Sequence, residues 1–277
     1  MSRILITGGA GLLGSTLART APREREVHVT ERRAPAPAGV AHGLDLADAA
    51  AVRELVARLR PELVIHTAYS TADGERDIVQ ASTNVGAACA EAGAALLHLS
   101  TDALFDGEHA PYAEDATPAP VHAYGRHKAE AEARLRALLP DAAIVRTSLL
   151  TCFEPPDPRS AVIVDGLRRG DAVRLFVDEL RMPIHPADLA AQLWELAALP
   201  RARRAGAWHL AGPEALSRYA LGLLIAARFE LAAVGLTPAL SRSFAEPRPR
   251  DVRLLTGRAE RELRSRARGV SVLAMGA

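Results

Sequence analysis

Thr7-Gly8-Gly9-Ala10-Gly11-Leu12-Leu13-Gly14 is the stretch that decides the fold. It follows an apolar run of strand length, Arg3 to Thr7, and opens a helical pattern that continues to about Arg19. Glycine lets a backbone turn tightly and approach a bulky anion with no Cβ in the way. The helix N-terminus beyond it offers unpaired N–H groups and a dipole that favours negative charge. Strand, glycine turn and helix, in that order, are what a pyrophosphate cradle requires. An ordinary tight turn is the competing explanation, and the flanking elements weigh against it.

Outward from this turn, apolar runs of strand length alternate with helical patterns. Val27 to Thr30 reads as a second strand, and Ala49 to Leu59 as a helix capped by Asp48. Leu63 to Thr67 is a third strand, and Thr83 to Ala92 an alanine-rich helix ending near Gly93. Ala95 to Ser100, Tyr124 to Leu139 and Ala142 to Thr147 continue as strand, helix and strand. Nearly unbroken apolar strands in a β-α-β alternation predict a parallel sheet buried on both faces. The fold class is therefore α/β: a Rossmann, doubly wound sheet forming a dinucleotide-binding domain over residues 1–150. The pattern then changes. Cys152 to Ser160 carries three prolines and reads as a loop. Val162 to Arg169, Ala187 to Leu199 and Leu216 to Phe229 read as helices, Trp208 to Leu210 as a late strand, and Glu246 to Arg250 as irregular. Residues 151–277 are expected to form a smaller, mixed substrate-binding lobe, with some segments returning to the main sheet.

Composition bounds the function. In 277 residues, 49% are hydrophobic and 24% charged, the balance of a globular protein with a sizeable core. A net charge of +1 gives no electrostatic footprint for nucleic acid or an anionic membrane. Arg201, Arg203 and Arg204 cluster after Pro200 and read as a solvated loop. The longest apolar candidate, Leu221 to Leu236, is broken by Arg228 and Glu230, so no membrane span is expected. Two distant cysteines, Cys89 and Cys152, suggest reduced thiols and a cytoplasmic protein. No metal-ligand spacing occurs; His66, His98 and His185 read as packed or pocket-lining residues. The expected partner is a small molecule, and a homodimer is one option for assembly.

At the end of the second strand stand Glu31, Arg32 and Arg33. An acid there suits the ribose hydroxyls of NAD, and arginines suit the 2′-phosphate of NADP. The balance tips slightly to NADP(H), with a solvated turn as the competing role for the arginines. Asp45 and Leu46 are placed to flank the adenine, unless Asp45 serves only a turn.

The chain has one lysine, Lys128, against thirty-three arginines. It lies four residues after Tyr124, in Tyr124-Gly125-Arg126-His127-Lys128, so the two share a helix face. Lysine is a compact charge on a flexible stem, whereas arginine is a wide planar fork. An ammonium about 4 Å from a phenol, at an effective dielectric near 20, contributes roughly 4 kcal/mol, or about three pKa units. Such a phenol can donate a proton to a carbonyl or accept one in reverse. Spacing alone equally allows two helix residues with separate structural duties.

With TGGAGLLG near the start, Ser100-Thr101-Asp102 after a strand, and YGRHK beyond, the chain resembles the extended short-chain dehydrogenase/reductases. It is most similar to their dTDP-4-dehydrorhamnose reductase group, through Ser100 to Gly107 (STDALFDG), Pro111-Tyr112-Ala113-Glu114, Arg146-Thr147-Ser148, Pro186 to Ala190, His209 to Gly212 and Arg248-Pro249. The resemblance implies that Gly8, Gly11, Leu12, Leu13 and Gly14 hold the cofactor pyrophosphate. It implies that Thr101 hydrogen-bonds the substrate carbonyl with Asp102 beside it, that Tyr124 is the general acid, and that Lys128 holds the nicotinamide ribose and depresses the tyrosine. Asn84 takes a position where such proteins often carry an asparagine near the site, with a structural helix role as its alternative.

Departures from the group concentrate at the substrate end. Leu149-Leu150-Thr151-Cys152 replaces an aromatic–glycine pair, and His66-Thr67-Ala68-Tyr69 replaces an alanine-rich strand end, so Thr67, Ala68 and Tyr69 are expected beside the nicotinamide. Arg181 and Arg248 are candidates to grip a diphosphate. Ala103 stands where related dehydratases carry a glutamate, which disfavours dehydration. The expected function is NAD(P)H-dependent reduction of a keto group on a nucleotide-linked deoxysugar. Sugar-nucleotide epimerisation, reduction of a non-sugar ketone, and a non-catalytic dinucleotide-binding regulatory subunit remain as alternatives.

Overall fold

The computed structural model describes residues 2–276. Its centre is a seven-stranded sheet of order β3-β2-β1-β4-β5-β6-β9, with every pairing parallel. The strands are β1 (Ser2–Thr7), β2 (Arg25–Glu31), β3 (Val40–Gly43), β4 (Leu63–His66), β5 (Ala95–Thr101), β6 (Ala143–Thr147) and β9 (Gly206–Leu210). Side chains alternate across the sheet. Ile4, Ile6, Ile65, Leu97, Val145 and Trp208 face one core with α1 (Leu12–Arg19) and α6 (Pro186–Ala198). Leu5, Val64, Leu96 and Ile144 face the other, under α2 (Ala49–Leu59), α3 (Ala81–Ala92) and α4 (Ala123–Leu138). Burial of both faces explains why these strands read as continuous apolar runs.

The chain order reverses between β1 and β4, so the C-terminal strand ends open a crevice there. Thr7, the last residue of β1, braces that point. Its hydroxyl accepts from the N–H groups of Thr67 (3.2 Å) and Ala68 (3.3 Å) and hydrogen-bonds His66 Nδ1 at 2.7 Å.

A third apolar cluster gathers Phe153, Ile163, Val164, Leu221, Ile225, Leu236 and Val270. It is built by α5 (Pro158–Arg168), α8 (Arg218–Arg228), α10 (Val270–Ala274) and a parallel pair, β7 (Val173–Phe176) with β11 (Leu236–Ala239). Between them β8 (Leu180–Arg181) pairs antiparallel with β10 (Leu216–Ser217). The segments α6, β9 and α9 (Gly257–Glu262) return to the main sheet.

Several elements differ from expectation. The edge strand β3 was not anticipated, because three of its four residues are exposed and it has little apolar signal. The third helix starts earlier, through a π-helical turn over Glu75–Gln80 that runs directly into α3. The proline-rich loop already contains the start of α5, where Asp157 accepts from Arg159 and Ser160 N–H and Pro158 fills the first turn. The arginine cluster after Pro200 is not a solvated loop. It forms the short α7 (Arg201–Arg204), and buried Arg204 donates to Ala197 O at 2.8 Å.

Helix α4 is fixed to the sheet by a buried ion pair. Glu132 accepts from Arg146 Nη2 at 2.9 Å and Nε at 3.2 Å, both side chains being almost wholly buried. Glu132 lies two turns after Tyr124 and one after Lys128, so the pair sets the face that α4 presents to the crevice. Removing one partner of such a pair costs about 3–5 kcal/mol. Glu132→Ala is therefore expected to lower the unfolding free energy by about 3 kcal/mol in denaturant titration. A loss below about 1 kcal/mol would show that the pair does not anchor α4.

Candidate active site

A single cleft of about 980 Å³ runs from the glycine turn to the second lobe. That is the upper end of the ordinary range for cofactor and ligand sites, about 300–1,000 Å³. Along its wall lie Gly8, Gly11, Leu12, Leu13 and Gly14, then Glu31, Arg32, Asp45 and Leu46, then Thr67, Ala68 and Tyr69. Thr101, Asp102, Tyr124 and Lys128 lie on the same wall, as do Arg181 and Arg248. Asn84 is not on the wall. From α3 its Nδ2 donates to Leu46 O at 2.9 Å, so it supports the backbone behind the Asp45–Leu46 segment.

The cradle is shaped for close approach. A Cβ on Gly14 would stand 2.2 Å from Gly8 O, so only glycine lets the first turn of α1 close on the loop. That leaves the N-terminus of α1 facing the cleft with no acidic residue in its first turn, which suits a pyrophosphate. At the adenosine end, Glu31 is spent on the turn, accepting from Ala36 N at 2.6 Å. Arg32 forms a bidentate pair with Asp77 (2.7 and 3.1 Å) and approaches Asp45 at 3.6 Å. Arg76 joins Asp45 at 2.5 Å and Asp77 at 2.8 Å. The Arg32 hydrogen bonds hold the Asp77 carboxyl down at about 2, so this four-member network stays charged at neutral pH.

The centre of the cleft is built by β5 and α4. Thr101 ends β5, and its hydroxyl accepts from Ala103 N at 3.1 Å, capping the tight turn that follows. Gly125 lets α4 pack against that turn, since a Cβ there would meet Ala103 O at 2.3 Å. Tyr124 is thereby brought near Thr101, whose hydroxyl acts on its phenol. Lys128 is 4% exposed, donates to Leu99 O at 2.9 Å, and lies 5.3 Å from the Tyr69 ring centroid. An ammonium has three donors. One is committed to the protein, and the cleft is where the others open. Ser100 and Thr147 line the same cleft, and their hydroxyl oxygens are buried without partners among the described residues. These donors and hydroxyls fit the ribose and carboxamide of a nicotinamide.

The electrostatics differ from expectation at Tyr124. Burial pushes its phenol well above the ordinary value, Tyr69 and Asp102 add to this, and the Thr101 hydroxyl opposes it. The ammonium of Lys128 does not bring the phenol near neutrality, because it is turned to Leu99 O and is itself depressed by burial to about 8. Behind it, burial lowers the buried His66 to about 3 and holds His98 well below its ordinary value, so both rings are neutral and Lys128 is the positive charge at this point.

The substrate end holds more arginine than anticipated. Arg159 and Arg218 join Arg181 and Arg248 on the cleft wall. Glu179 is the acid among them, paired with Arg248 and 3.6 Å from Arg181. Asp157 is occupied in capping α5, and burial raises the carboxyl of Asp102, which accepts from Ser148 Oγ at 2.6 Å. Burial lowers Arg218 to about 10; Glu179 supports its charge, and Arg159, Arg181 and Arg248 oppose it. The cationic crowding makes this end of the cleft receptive to an anion. Arg159 and Arg218 lack a distinguishing local signal, but each follows a helix N-cap (Asp157 and Ser217), which aims the first turn at the cleft.

A glycine-cradled parallel sheet of this order, with a threonine and a tyrosine–lysine pair over its fifth strand, defines an extended short-chain dehydrogenase/reductase. Within that class the chain belongs to the RmlD substrate-binding domain family, which matches residues 1–269. It is 34% identical over 219 residues to a dTDP-4-keto-6-deoxy-D-glucose reductase from Streptomyces niveus, spanning 75% of this chain and 72% of that protein. It is also 30% identical over 265 residues to methionine adenosyltransferase 2 subunit beta of Xenopus tropicalis, spanning 89% and 78%. A crystal structure of a dTDP-4-dehydrorhamnose reductase from Clostridium acetobutylicum aligns with a TM-score of 0.80 at 25% identity, covering 93% of this chain and 91% of that one. Among the described residues, no helix is long and apolar enough to cross a membrane, and no cluster of three His, Cys, Asp or Glu side chains is placed to hold a metal.

The buried lysine generates a pH signature. Its folded-state pKa of about 8 lies below the ordinary 10.5, so burial penalises the charged form. The penalty is complete below about pH 8 and is relieved as pH rises from 8 to 10.5, so Lys128 makes the protein gain stability across that window. If the ammonium form holds the cofactor, kcat/KM for the nicotinamide cofactor should fall on the alkaline side with an apparent pKa near 8. A profile flat to pH 10 would contradict this. Lys128→Arg is expected to keep the fold by circular dichroism and lose most turnover, because the wider guanidinium cannot occupy the space beneath Leu99 O.

Proposed function

We propose that this protein is a cytoplasmic, NADP(H)-preferring reductase of a keto group on a nucleotide-linked deoxysugar. The observation that carries the proposal is the continuity of one cleft. It joins the glycine cradle, the Thr101/Tyr124/Lys128 group and the four arginines on one wall, as a cofactor, a reacting carbonyl and a diphosphate would need. The similarity to a dTDP-4-keto-6-deoxy-D-glucose reductase supports the same substrate class.

The bound cofactor supplies a hydride to the carbonyl carbon. The chain's own residues do the rest. Thr101 orients the carbonyl oxygen, and Tyr124 delivers the proton that completes the alcohol. Reduction needs a protonated phenol, and a phenol held up by burial is protonated throughout the neutral range. Lys128 holds the ribose through the donors that Leu99 O leaves open. Arg159, Arg181, Arg218 and Arg248 grip the diphosphate, for which guanidinium geometry is suited.

The cofactor preference is expected to be small. Arg33 is exposed and makes no ion pair among the described residues, so it is available to a 2′-phosphate. Arg32, beside it, is neutralised by Asp77. Asp77→Asn should release Arg32 and raise the NADPH-to-NADH affinity ratio by about tenfold, read by fluorescence titration, since one charge-assisted hydrogen bond contributes about 1.5–3 kcal/mol. An unchanged ratio would remove Arg32 from 2′-phosphate recognition.

A second reading is favoured by the likeness to a protein named as a subunit, methionine adenosyltransferase 2 subunit beta: this chain would then bind the cofactor without turning it over. NADPH and NADH oxidation against a panel of nucleotide-linked 4-keto sugars separates the two. The reductase reading expects turnover in the wild type and its loss, by at least about a hundredfold, in Tyr124→Phe. Bound cofactor without turnover across the panel would sustain the subunit reading instead.

A further inference from the structure

His122 is a cleft residue that neither the motifs nor the catalytic group accounts for. It is the N-cap of α4, and its Nδ1 accepts from Gly125 N at 2.9 Å. An N–H can only donate, so Nδ1 must present its lone pair, and the single proton of the neutral ring stands on Nε2. Nε2 forms no hydrogen bond among the described residues, and the ring lines the cleft with its centroid 6.1 Å from that of Tyr124. The usual caps, Ser, Thr, Asp and Asn, are short and reach no farther than the helix backbone. Histidine caps with one edge and projects a donor from the other. His185 caps α6 in the same way, through Ala187 N at 3.2 Å, but does not line the cleft.

The surroundings keep this donor in place. Burial lowers the imidazole below its ordinary value, and Arg248 and Arg181 act in the same direction; the residue's own backbone and Glu246 oppose them. The neutral ring and its tautomer are thus favoured at neutral pH. His122 thus shares the cleft wall with Tyr124, Arg181 and Arg248, and is near enough to both arginines to feel their charge.

We propose that His122 is a substrate-binding residue whose Nε2–H donates to a sugar hydroxyl lying between the reacting carbonyl and the diphosphate. This rests on the nucleotide-sugar reading of the site. It makes the histidine a reader of the sugar and leaves the diphosphate to the arginines.

The test is calorimetric titration of NADP-loaded protein with dTDP-glucose and, separately, with dTDP. His122→Ser keeps a capping oxygen and removes the distal donor, and His185→Ser serves as the control for a changed cap outside the cleft. The expected result is a roughly tenfold loss of affinity for dTDP-glucose in His122→Ser, the effect of one donor. Affinity for dTDP, the melting temperature and both affinities of His185→Ser should stay near wild type. Equal weakening of both ligands, or no change in either, would overturn the sugar contact while leaving the nucleotide-sugar reading intact. Failure of wild-type protein to bind either ligand would remove that reading and this inference with it.

Discussion

Burial of one ammonium is the constraint on which the site depends. Lys128 is buried with a single hydrogen bond among the described residues, to Leu99 O. A buried charge is costly unless its remaining donors are used. The surrounding structure meets that demand from two sides. Glu132, one turn along α4, supports the charge through space while being held by Arg146. The cleft offers the unfilled donors to a ligand. The compactness of lysine matters here: a guanidinium needs a wider, planar space and a different set of acceptors.

The same logic operates at both ends of the cleft, with different outcomes. At the adenosine end, Arg32 and Arg76 are matched by Asp45 and Asp77, so the charge is balanced inside the protein. At the substrate end, Arg159, Arg181, Arg218 and Arg248 crowd around Glu179, so balance is left to an incoming anion. The first arrangement leaves little net charge in that network. The second makes a diphosphate the natural complement. Between them, burial keeps Tyr124 protonated and the two core histidines neutral.

Local signals carried much of this. The glycine turn needs its strand and helix as neighbours, and all three are contiguous in the chain. Tyr124 and Lys128 share a helix face by spacing alone, and Thr101 ends an unmistakably apolar strand. What escaped was tertiary. Nothing in a chain with thirty-three arginines marks Arg159 and Arg218 as cleft residues, because their role comes from the packing of α5 and α8. Asp77 was hidden in a charged segment, Glu75 to Gln80, whose π-helical turn has no apolar periodicity. The shift of Tyr124 was misjudged for a related reason: i,i+4 spacing fixes the shared face, while burial and the direction of Lys128 Nζ decide the electrostatics. Asn84 shows the converse. Its position suited the site, yet its amide is used by the Leu46 carbonyl.

The most direct test of the account is isotopic. Turnover of a nucleotide-linked 4-keto sugar with NADPH carrying deuterium at the transferable nicotinamide C4 position, followed by mass spectrometry of the product, reports where the hydride goes. The account predicts one deuterium bound to the new carbinol carbon, with one cofactor oxidised for each alcohol formed. A product without deuterium, or an altered sugar with no net cofactor oxidation, would contradict it.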